Sequence, residues 1–270
     1  MDIKTTAKLN NGTEIPILGL GVWQTSDGKV CEEAILAALD AGYRHIDTAA
    51  IYENEDSVGK AFKKTSVPRK EVFITTKLWD DDLNNVEKAL NESLKKLQLD
   101  YVDLYLMHFP VPKRNDSWKM LEKLHKEGKA KAIGVSNFTI RHLKELLEKT
   151  DLVPAINQVE FHPYLYQKEL LDFCNEKNIK LEAYSPLTHG AKLKDPKLVE
   201  IAKKYKKSTA QLLIKWCLQH NLVVIPKSSK KERIIENSQI FDFEISEEDM
   251  NTLNGFNENL RTCWDPTDAP

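Results

Sequence analysis

Eight short apolar runs alternate with longer amphipathic stretches along the whole chain, and this alternation restricts the possible folds more than any other feature of the sequence. Apolar runs of this length are typical of strands that are buried on both faces. They cover residues 17–21, 43–47, 72–77, 102–108, 132–136, 156–160, 180–184 and 222–225. Strand and helix repeated in this order predict a parallel sheet with right-handed crossovers, which can close into a barrel.

The segments between these runs have the period of amphipathic helices. The clearest are 30–41, 86–97, 118–127, 140–149 and 169–178, each long enough for about three turns. No linker rich in proline, glycine or serine divides the 270 residues, and barrels of about 250 residues fold as one unit. We therefore predict a single (β/α)8 barrel domain over residues 1–270.

Two further elements frame the predicted barrel. Residues 8–9 and 15–17 flank the turn Asn10-Asn11-Gly12-Thr13, which predicts an N-terminal β-hairpin in a position to cap the barrel floor. Later in the chain, Ser246 precedes three acidic residues in the manner of a helix N-cap. The sequence thus predicts an extra C-terminal helix beyond the repeats.

The main alternative is a doubly wound nucleotide-binding fold, because Gly19-Leu20-Gly21 follows an apolar run. The glycine-rich fingerprint of that fold needs a third glycine, but Gln24 occupies its place and no helix opens at once. A single Gly-x-Gly is more typical of a tight turn. The barrel is therefore the favoured prediction.

Composition bears on partners and location. The net charge of -2 at pH 7 gives no overall attraction to nucleic acid or lipid, and no apolar run approaches the roughly 20 residues that span a bilayer. The N-terminus lacks the apolar core of a signal peptide. The four cysteines are far apart and form no Cys-x-x-Cys pair, which indicates reduced packing residues. We expect a cytoplasmic protein with no metal, nucleic-acid or membrane partner.

Ionisable side chains end three consecutive predicted strands. Asp47, Lys77 and His108 occupy these ends, and Tyr52 follows Asp47 after a short loop. The working residues of (β/α)8 barrels lie at the carboxyl ends of strands. Taken singly, each residue has an ordinary interpretation, as a cap, loop packing, a surface charge or a satisfied core histidine. Three such ends in succession are harder to explain without a shared site.

These four side chains can form an acid catalyst. A phenol has a pKa of about 10 and needs a nearby cation to release its proton readily, and Lys77 can supply that charge to Tyr52. A buried ammonium needs a counter-ion in turn, and Asp47 lies one strand away. His108 can orient an oxygen or share its proton through a ring nitrogen. This set suits acid catalysis at a carbonyl oxygen.

Four segments carry a resemblance to a known family. They are residues 42–49 with Tyr52, Lys77-Leu78-Trp79, Val135-Ser136-Asn137-Phe138, and Ile225-Pro226-Lys227-Ser228, in this order. The chain resembles the aldo-keto reductases from end to end. The resemblance implies that aldehydes or ketones are reduced with NADPH, with hydride from the nicotinamide and a proton from Tyr52. A non-catalytic NADP(H)-binding or structural protein on the same barrel is the alternative, because folds are reused without their chemistry.

The same resemblance implies the cofactor contacts. In order along the chain these residues are Gly21, Val22, Trp23, Ser136, Asn137, Gln158, Tyr184, Ser185, Leu187, Ile225, Lys227, Ser228, Ser229, Arg233, Glu236 and Asn237. Ser136, Asn137 and Gln158 match residues that hold the nicotinamide carboxamide, and Tyr184 matches the aromatic residue that stacks on the ring.

The remaining cofactor residues match positions along the rest of the nucleotide. Ser185 and Leu187 match residues near the pyrophosphate, and Glu236 and Asn237 match the adenine site. Lys227, Ser228 and Arg233 match residues that contact the 2′-phosphate. Helix N-terminal amides and cationic side chains both favour an anion, although segment 227–233 also has the composition of a solvated basic helix start.

Trp23, Trp79, His108 and Phe109 are predicted to contact the substrate, and the three that are not catalytic have core packing as their alternative. Longer family members close the pocket with loops that are short here, since only nine residues separate His108 from Trp118. We therefore expect an open, loosely selective pocket and fast NADP exchange, with no contact assigned to Thr188-His189-Gly190. By resemblance we also expect a monomer.

Overall fold

Eight parallel strands pair in the order in which they occur along the chain. The computed structural model describes all 270 residues, Met1–Pro270. After an antiparallel hairpin of β1 (Thr6–Lys8) and β2 (Glu14–Pro16), the main sheet contains β3 (Leu20–Gly21), β4 (His45–Asp47), β5 (Phe73–Leu78), β6 (Val102–Met107), β7 (Ala130–Ser136), β8 (Ile156–Glu160), β9 (Lys180–Tyr184) and β10 (Val223–Val224). Each predicted apolar run overlaps one of these eight strands.

The first and last strands of this sheet meet, so that it closes into a barrel. Leu18 pairs in parallel with Val224, and Gly21 pairs with Lys227. The amide of Gly19 donates to the carbonyl of Val224 at 2.9 Å. The strand order also lacks the reversal at which a doubly wound sheet binds its nucleotide. The (β/α)8 prediction is confirmed, and the alternative fold is excluded.

The glycines of Gly19-Leu20-Gly21 serve this closure. A side-chain carbon at Gly19 would lie 2.6 Å from Nδ1 of His45, and one at Gly21 would lie 3.0 Å from the carbonyl oxygen of Ile225. The neighbouring groups leave no room for a larger residue at Gly19 and little at Gly21. The Gly-x-Gly sequence therefore reflects close packing of strands and not the turn of a doubly wound fold.

Ten helices connect and flank the strands. They are α1 (Lys29–Asp40), α2 (Glu55–Lys64), α3 (Val86–Leu97), α4 (Arg114–Lys126), α5 (Ile140–Leu147), α6 (Lys168–Glu176), α7 (Pro196–Lys204), α8 (Thr209–Gln219), α9 (Lys231–Ser238) and α10 (Glu247–Asn254). None of them has the length and apolar character needed to cross a bilayer. The hydroxyl of Ser246 accepts from the amide of Asp249 at 3.2 Å, which confirms the predicted N-cap of α10.

Helix α4 begins one turn before the predicted start at residue 118. This first turn carries Arg114 and Ser117, which are buried although they are polar. The guanidinium of Arg114 pairs with the carboxylate of Glu145, and the hydroxyl of Ser117 donates to the carbonyl of Leu83 at 3.0 Å. Because polar residues occupy the buried positions, the apolar periodicity does not extend into this turn.

The N-terminal hairpin fills the floor of the barrel, as predicted. Leu9 and Ile15, on either side of its turn, belong to one apolar cluster with Phe73, Leu104 and Ile156 from the strands. A separate and larger cluster lies mainly between the strands and the helices. With the floor filled by apolar side chains, the rim at the carboxyl ends of the strands is the end available for polar chemistry.

Candidate active site

The carboxyl ends of β4, β5 and β6 bring the predicted ionisable residues to one rim. Asp47 is the last residue of β4, Lys77 is the penultimate residue of β5, and His108 directly follows β6. Tyr52 lies in a short 3-10 turn, Ala50–Tyr52, that follows β4. Neighbouring parallel strands end side by side, and these four residues, which we call the tetrad, therefore lie together.

Lys77 connects Asp47 and Tyr52 within the tetrad. Its ammonium donates to Oδ1 of Asp47 at 2.6 Å, to the carbonyl of Thr48 at 2.9 Å and to the hydroxyl of Tyr52 at 3.2 Å. An ammonium has three donors, and all three are used here. Lys77 and Asp47 are both buried, so each charge depends on the other for compensation.

Burial and pairing set the ionisation of these groups. Burial acts to lower the pKa of Lys77, but the charges and hydrogen bonds of Asp47 and Tyr52 together outweigh it and hold that pKa above its usual value. Burial also raises the pKa of the Tyr52 phenol, while the charge of Lys77 acts in the opposite direction. Tyr52 is therefore a protonated phenol at neutral pH, with a cation in contact that stabilises the phenolate once the proton leaves.

His108 is a neutral imidazole at the same rim. Burial, followed by the charge of Lys77, lowers its pKa well below the usual value. Its ring stacks on Phe109 with 4.7 Å between ring centres and meets Tyr52 and Trp79 edge-on. No protein group forms a hydrogen bond with its Nδ1. A ring held in this way can hydrogen-bond a substrate oxygen without adding a second cation.

Polar residues at the ends of β7, β8 and β9 lie beside the tetrad and hold one another in place. The hydroxyl of Ser136 donates to the backbone carbonyl of Gln158 at 2.9 Å, and the side-chain amide of Asn137 donates to the carbonyl of His108 at 3.0 Å. The phenol of Tyr184 donates to Oδ1 of Asn137 at 2.7 Å. Asn137 has a φ of 64°, a left-handed conformation that asparagine tolerates.

One cavity of about 920 Å³ is lined by three members of the tetrad, Asp47, Tyr52 and His108, and by these polar residues. All of the predicted cofactor and substrate residues line it except Val22. Val22 is fully buried in the core, and its carbonyl accepts from Nδ2 of Asn54 at 2.9 Å. The apolar side chain of Val22 therefore packs away from the cavity, and its contact with the cofactor stays a prediction.

The part of the cavity next to α9 suits an anion. Lys227, Lys230 and Arg233 are exposed and line this part, and none of them pairs with a carboxylate, whereas Lys204 and Lys207 elsewhere do. Helix α9 also begins without a side-chain cap. Free helix N-terminal amides and unpaired cations together bind phosphate, so these residues fit the phosphate groups of NADPH.

The sequence profile of the Aldo/keto reductase family matches residues 17–258. This chain belongs to that family.

Relatives of this aldo/keto reductase share nearly its full length. Glyoxal reductase of Bacillus subtilis is 51% identical, covering 98% of this chain and 97% of its own. Methylglyoxal reductase DkgA of Escherichia coli (strain K12) is 48% identical over 97% of each chain. Among solved structures, MGS-M4, an aldo-keto reductase from a deep-sea metagenome library, has a TM-score of 0.93 at 44% identity, covering 98% of this chain and 100% of that chain. A Bombyx mori aldo-keto reductase in complex with NADP has a TM-score of 0.91 at 37% identity, covering 98% and 97%.

The C-terminal segment of this aldo/keto reductase forms part of the cavity wall. The buried carboxylate of Glu160 accepts from the amides of Thr262 at 2.7 Å and Cys263 at 3.2 Å. Trp264 then lies against Phe109 with 5.1 Å between ring centres, and Cys263 and Trp264 both line the cavity. The expectation of an open pocket is wrong on this side, because the short tail reaches back over the rim. No local pattern marks a contact between residues so far apart in the chain.

The loop after β9 also reaches across the cavity mouth. The ring of His189 meets that of Trp23 edge-on with 5.3 Å between ring centres. Its Nε2 lies 2.9 Å from Oγ of Ser185 and 3.3 Å from Sγ of Cys263. His189 and Ser185 both adopt a positive φ, which indicates that the surrounding contacts hold this loop. The short loop thus joins two sides of the mouth.

Proposed function

We propose that this chain reduces aldehydes and ketones to alcohols with NADPH, with Tyr52 as the proton donor. The observation that carries the proposal is the contact of the buried Lys77 Nζ with both Asp47 and Tyr52, which line the cavity. A phenol with an adjacent, charge-balanced ammonium suits proton transfer to an oxygen that gains negative charge. The Bombyx mori relative in complex with NADP supports this choice of cofactor.

Different parts of the cavity suit different parts of the cofactor. Bound NADPH supplies the hydride that reduces the carbonyl carbon. We assign its 2′-phosphate to the α9 end of the cavity, with Lys227, Ser228 and Arg233, because neither cation there pairs with a carboxylate of the protein. We assign the nicotinamide to the ordered polar residues beside the tetrad, where Tyr184 offers an aromatic ring and Gln158 an amide.

The protein's own residues manage the carbonyl oxygen. Tyr52 donates its proton to that oxygen, and the ammonium of Lys77 stabilises the phenolate that results. Asp47 balances the charge of Lys77, and the neutral ring of His108 hydrogen-bonds the same oxygen and orients it. Trp79 and the other aromatic walls exclude water, which strengthens each of these interactions.

We propose small α-oxoaldehydes as one class of substrate. Two relatives whose sequences are 51% and 48% identical to this chain are named glyoxal reductase and methylglyoxal reductase, which supports this class. The aromatic walls at Trp79, Phe109 and Trp264 also accept the apolar body of an aromatic aldehyde.

The test is a direct assay of turnover. Protein is mixed with NADPH and with methylglyoxal, glyoxal or a nitrobenzaldehyde, and the loss of nicotinamide absorbance is followed. We expect turnover by the wild type and its near-complete loss in Tyr52→Phe. If NADPH binds but no carbonyl of the panel is reduced, the non-catalytic binding alternative replaces the enzyme.

We further propose that the chain is a monomer and acts in the cytoplasm. Five large apolar side chains are exposed, and three of them, Trp23, Ile51 and Trp264, line the cavity and form no separate patch. All four cysteines are free, as is usual in a reducing compartment. Light scattering after size exclusion should give the mass of a single chain, and a dimer mass would contradict the monomer.

A further inference from the structure

A second buried carboxyl group lies behind the tetrad. Glu182, in the middle of β9, is fully buried and does not line the cavity. Its Oε2 accepts from Nε2 of Gln158 at 2.9 Å, and the same Nε2 donates to Oδ2 of Asp47 at 2.8 Å. A single side-chain amide therefore bridges two carboxyl groups inside the barrel.

This bridge fixes the direction in which the amide of Gln158 faces. Asp47 forms a salt bridge with the ammonium of Lys77 at 2.6 Å, and a carboxylate oxygen can only accept, so the NH2 of Gln158 faces Asp47. Both amide hydrogens are then used, one for each carboxyl group. The amide oxygen remains for a ligand, and Gln158 lines the cavity.

The surroundings of Glu182 offer it little positive charge. Asp47 and His45 face it from β4, Lys77 from β5 and Gln158 from β8, while β10 contributes only valines. The three donors of Lys77 are all used within the tetrad and its loop. Glu182 therefore has no cation of its own in hydrogen-bond contact.

His45 does not supply that charge. Its Nε2 lies 3.6 Å from Oε1 of Glu182, which has no hydrogen-bond partner. Burial, and secondly the charge of Lys77, lower the pKa of His45 to about 3. Burial, and secondly the charge of Asp47, raise the pKa of Glu182 to about 8. At neutral pH the proton lies on Glu182, and the buried centre holds one anion and one cation.

We propose that Glu182 is a positioning residue that holds the amide of Gln158 at the nicotinamide end of the cavity. The ionisation of Glu182 is coupled to the charge of the nicotinamide ring. The inference rests on the proposed function, since it takes NADP(H) as the nucleotide and Gln158 as a residue of its nicotinamide site. The oxidised ring carries a positive charge and the reduced ring is neutral. Ionised Glu182 therefore favours NADP+, and protonated Glu182 does not.

The experiment measures the dissociation constants of NADP+ and NADPH by quenching of protein fluorescence, from about pH 6.5 to about pH 9. The ratio of the two constants is the readout, because the titration of the 2′-phosphate is common to both and cancels. In the wild type we expect the Kd of NADP+ relative to NADPH to fall about 5- to 10-fold with rising pH, from coulombic coupling at an effective dielectric constant of about 20. In Glu182→Gln, which keeps the shape but cannot titrate, we expect less than about a 2-fold change.

Glu55→Gln is the matched control. Glu55 is also buried with a raised pKa caused by burial, but it hydrogen-bonds Thr76 at 2.7 Å and makes no contact with Gln158. We expect this variant to keep the pH dependence of the wild type. Loss of that dependence in Glu55→Gln, or its persistence in Glu182→Gln, would overturn the inference.

Two further outcomes separate this inference from the proposed function. If the wild type binds both nucleotides with a ratio that does not change with pH, the inference alone is overturned. If it binds neither, the proposed function falls and the inference falls with it. If Glu182→Gln does not fold, proton release by the wild type is measured instead, by calorimetry at about pH 8 in two buffers of different ionisation enthalpy. Binding of NADP+ should release more protons than binding of NADPH. Equal release for the two nucleotides would overturn the inference.

Discussion

Charged side chains are paired with one another at one end of the cavity and lack a carboxylate partner at the other. At the tetrad, Lys77 and Asp47 are buried and neutralise each other across 2.6 Å. Next to α9, Lys230 and Arg233 are exposed and have no carboxylate partner in the chain. The first arrangement is complete before any ligand binds. The second is completed only by an anion from outside.

The two ends of the cavity therefore have different roles. A buried charge costs folding free energy unless it is paired, so the tetrad must be preorganised by the fold itself. Exposed cations cost little because water solvates them, and their attraction remains for a ligand. We therefore expect changes at the tetrad to affect chemistry and stability, and changes at α9 to affect nucleotide affinity.

The sharpest test of this division is Tyr52→Phe. Loss of a positioned general acid typically lowers the rate by about 10²- to 10⁴-fold, and we expect kcat to fall within that range while the Kd of NADPH stays within about 2-fold. Steady-state kinetics and fluorescence titration measure the two quantities. Tyr101→Phe, outside the site, serves as control. A large rise in the Kd of NADPH in Tyr52→Phe would contradict the division.

The pH dependence of stability should also arise at the buried end. The pKa of Glu182 is about 8 in the folded state, above the ordinary value of 4.5, so the folded protein holds this proton more tightly than the unfolded chain. The resulting stability is complete below about pH 4.5 and is lost as the pH rises through about 8. Between about pH 5 and about pH 9 the free energy of unfolding of the wild type should fall, relative to Glu182→Gln, by an amount on the order of 2–4 kcal/mol.

Urea unfolding at a series of pH values measures this difference. The matched variant is Lys230→Gln, which removes a charge at the α9 end, where the side chain is exposed. Its stability should follow that of the wild type at every pH. If Lys230→Gln changed the pH dependence as much as Glu182→Gln, the contrast between the two ends would not hold.

At the α9 end we expect Arg233→Gln to weaken NADPH binding. A hydrogen bond to a charged group is worth about 1.5–3 kcal/mol, so the Kd of NADPH should rise about 10- to 100-fold. The Kd of NADH, which has no 2′-phosphate, should change little. Lys231→Gln removes a charge from the same helix but does not line the cavity, and it should leave both constants near wild type.

Trp264→Ala tests the wall that the tail supplies. Its contact with Phe109 is an aromatic pair, which contributes about 0.5–1.5 kcal/mol. We expect KM for an aromatic aldehyde to rise about 2- to 10-fold, with a smaller change for methylglyoxal and with Trp264→Phe restoring most of the loss. Equal effects on both substrates would argue against a role in selectivity.

The smallest effect is expected for the contact of His189 with Trp23. Its removal in His189→Ala should speed NADP+ release about 2- to 5-fold, because one aromatic contact across the mouth is lost. Stopped-flow fluorescence measures the release rate. His189→Phe keeps an aromatic ring and should release NADP+ near the wild-type rate. Unchanged release in both variants would mean that the loop does not retain the nucleotide.

The fold and the tetrad follow from local sequence features. Alternating apolar and amphipathic segments define the strands and helices, and a parallel barrel places the residues that end neighbouring strands at one rim. Asp47, Lys77 and His108 therefore come together without any knowledge of loop conformation. Val22 shows the limit of this reasoning, since adjacency to Gly21 and Trp23 does not decide which way its side chain points.

The remaining parts of the site depend on contacts that no short pattern contains. Cys263 and Trp264 reach the cavity through the carboxylate of Glu160, about a hundred residues earlier in the chain. His189 depends on a loop with positive φ at non-glycine residues. The sequence does contain a sign of the Glu182 contacts, because an acidic residue within a strand that is buried on both faces requires a partner.

The attachment of the C-terminal segment has a consequence for the choice of substrate. Glu160 holds this segment mainly through hydrogen bonds from the backbone amides of residues 262 and 263, and every residue except proline has such an amide. The side chain at position 264 does not take part in these hydrogen bonds. Exchange of Trp264 can therefore reshape the wall of the pocket while the segment stays attached, so the range of accepted carbonyls can diverge between relatives at little cost in stability.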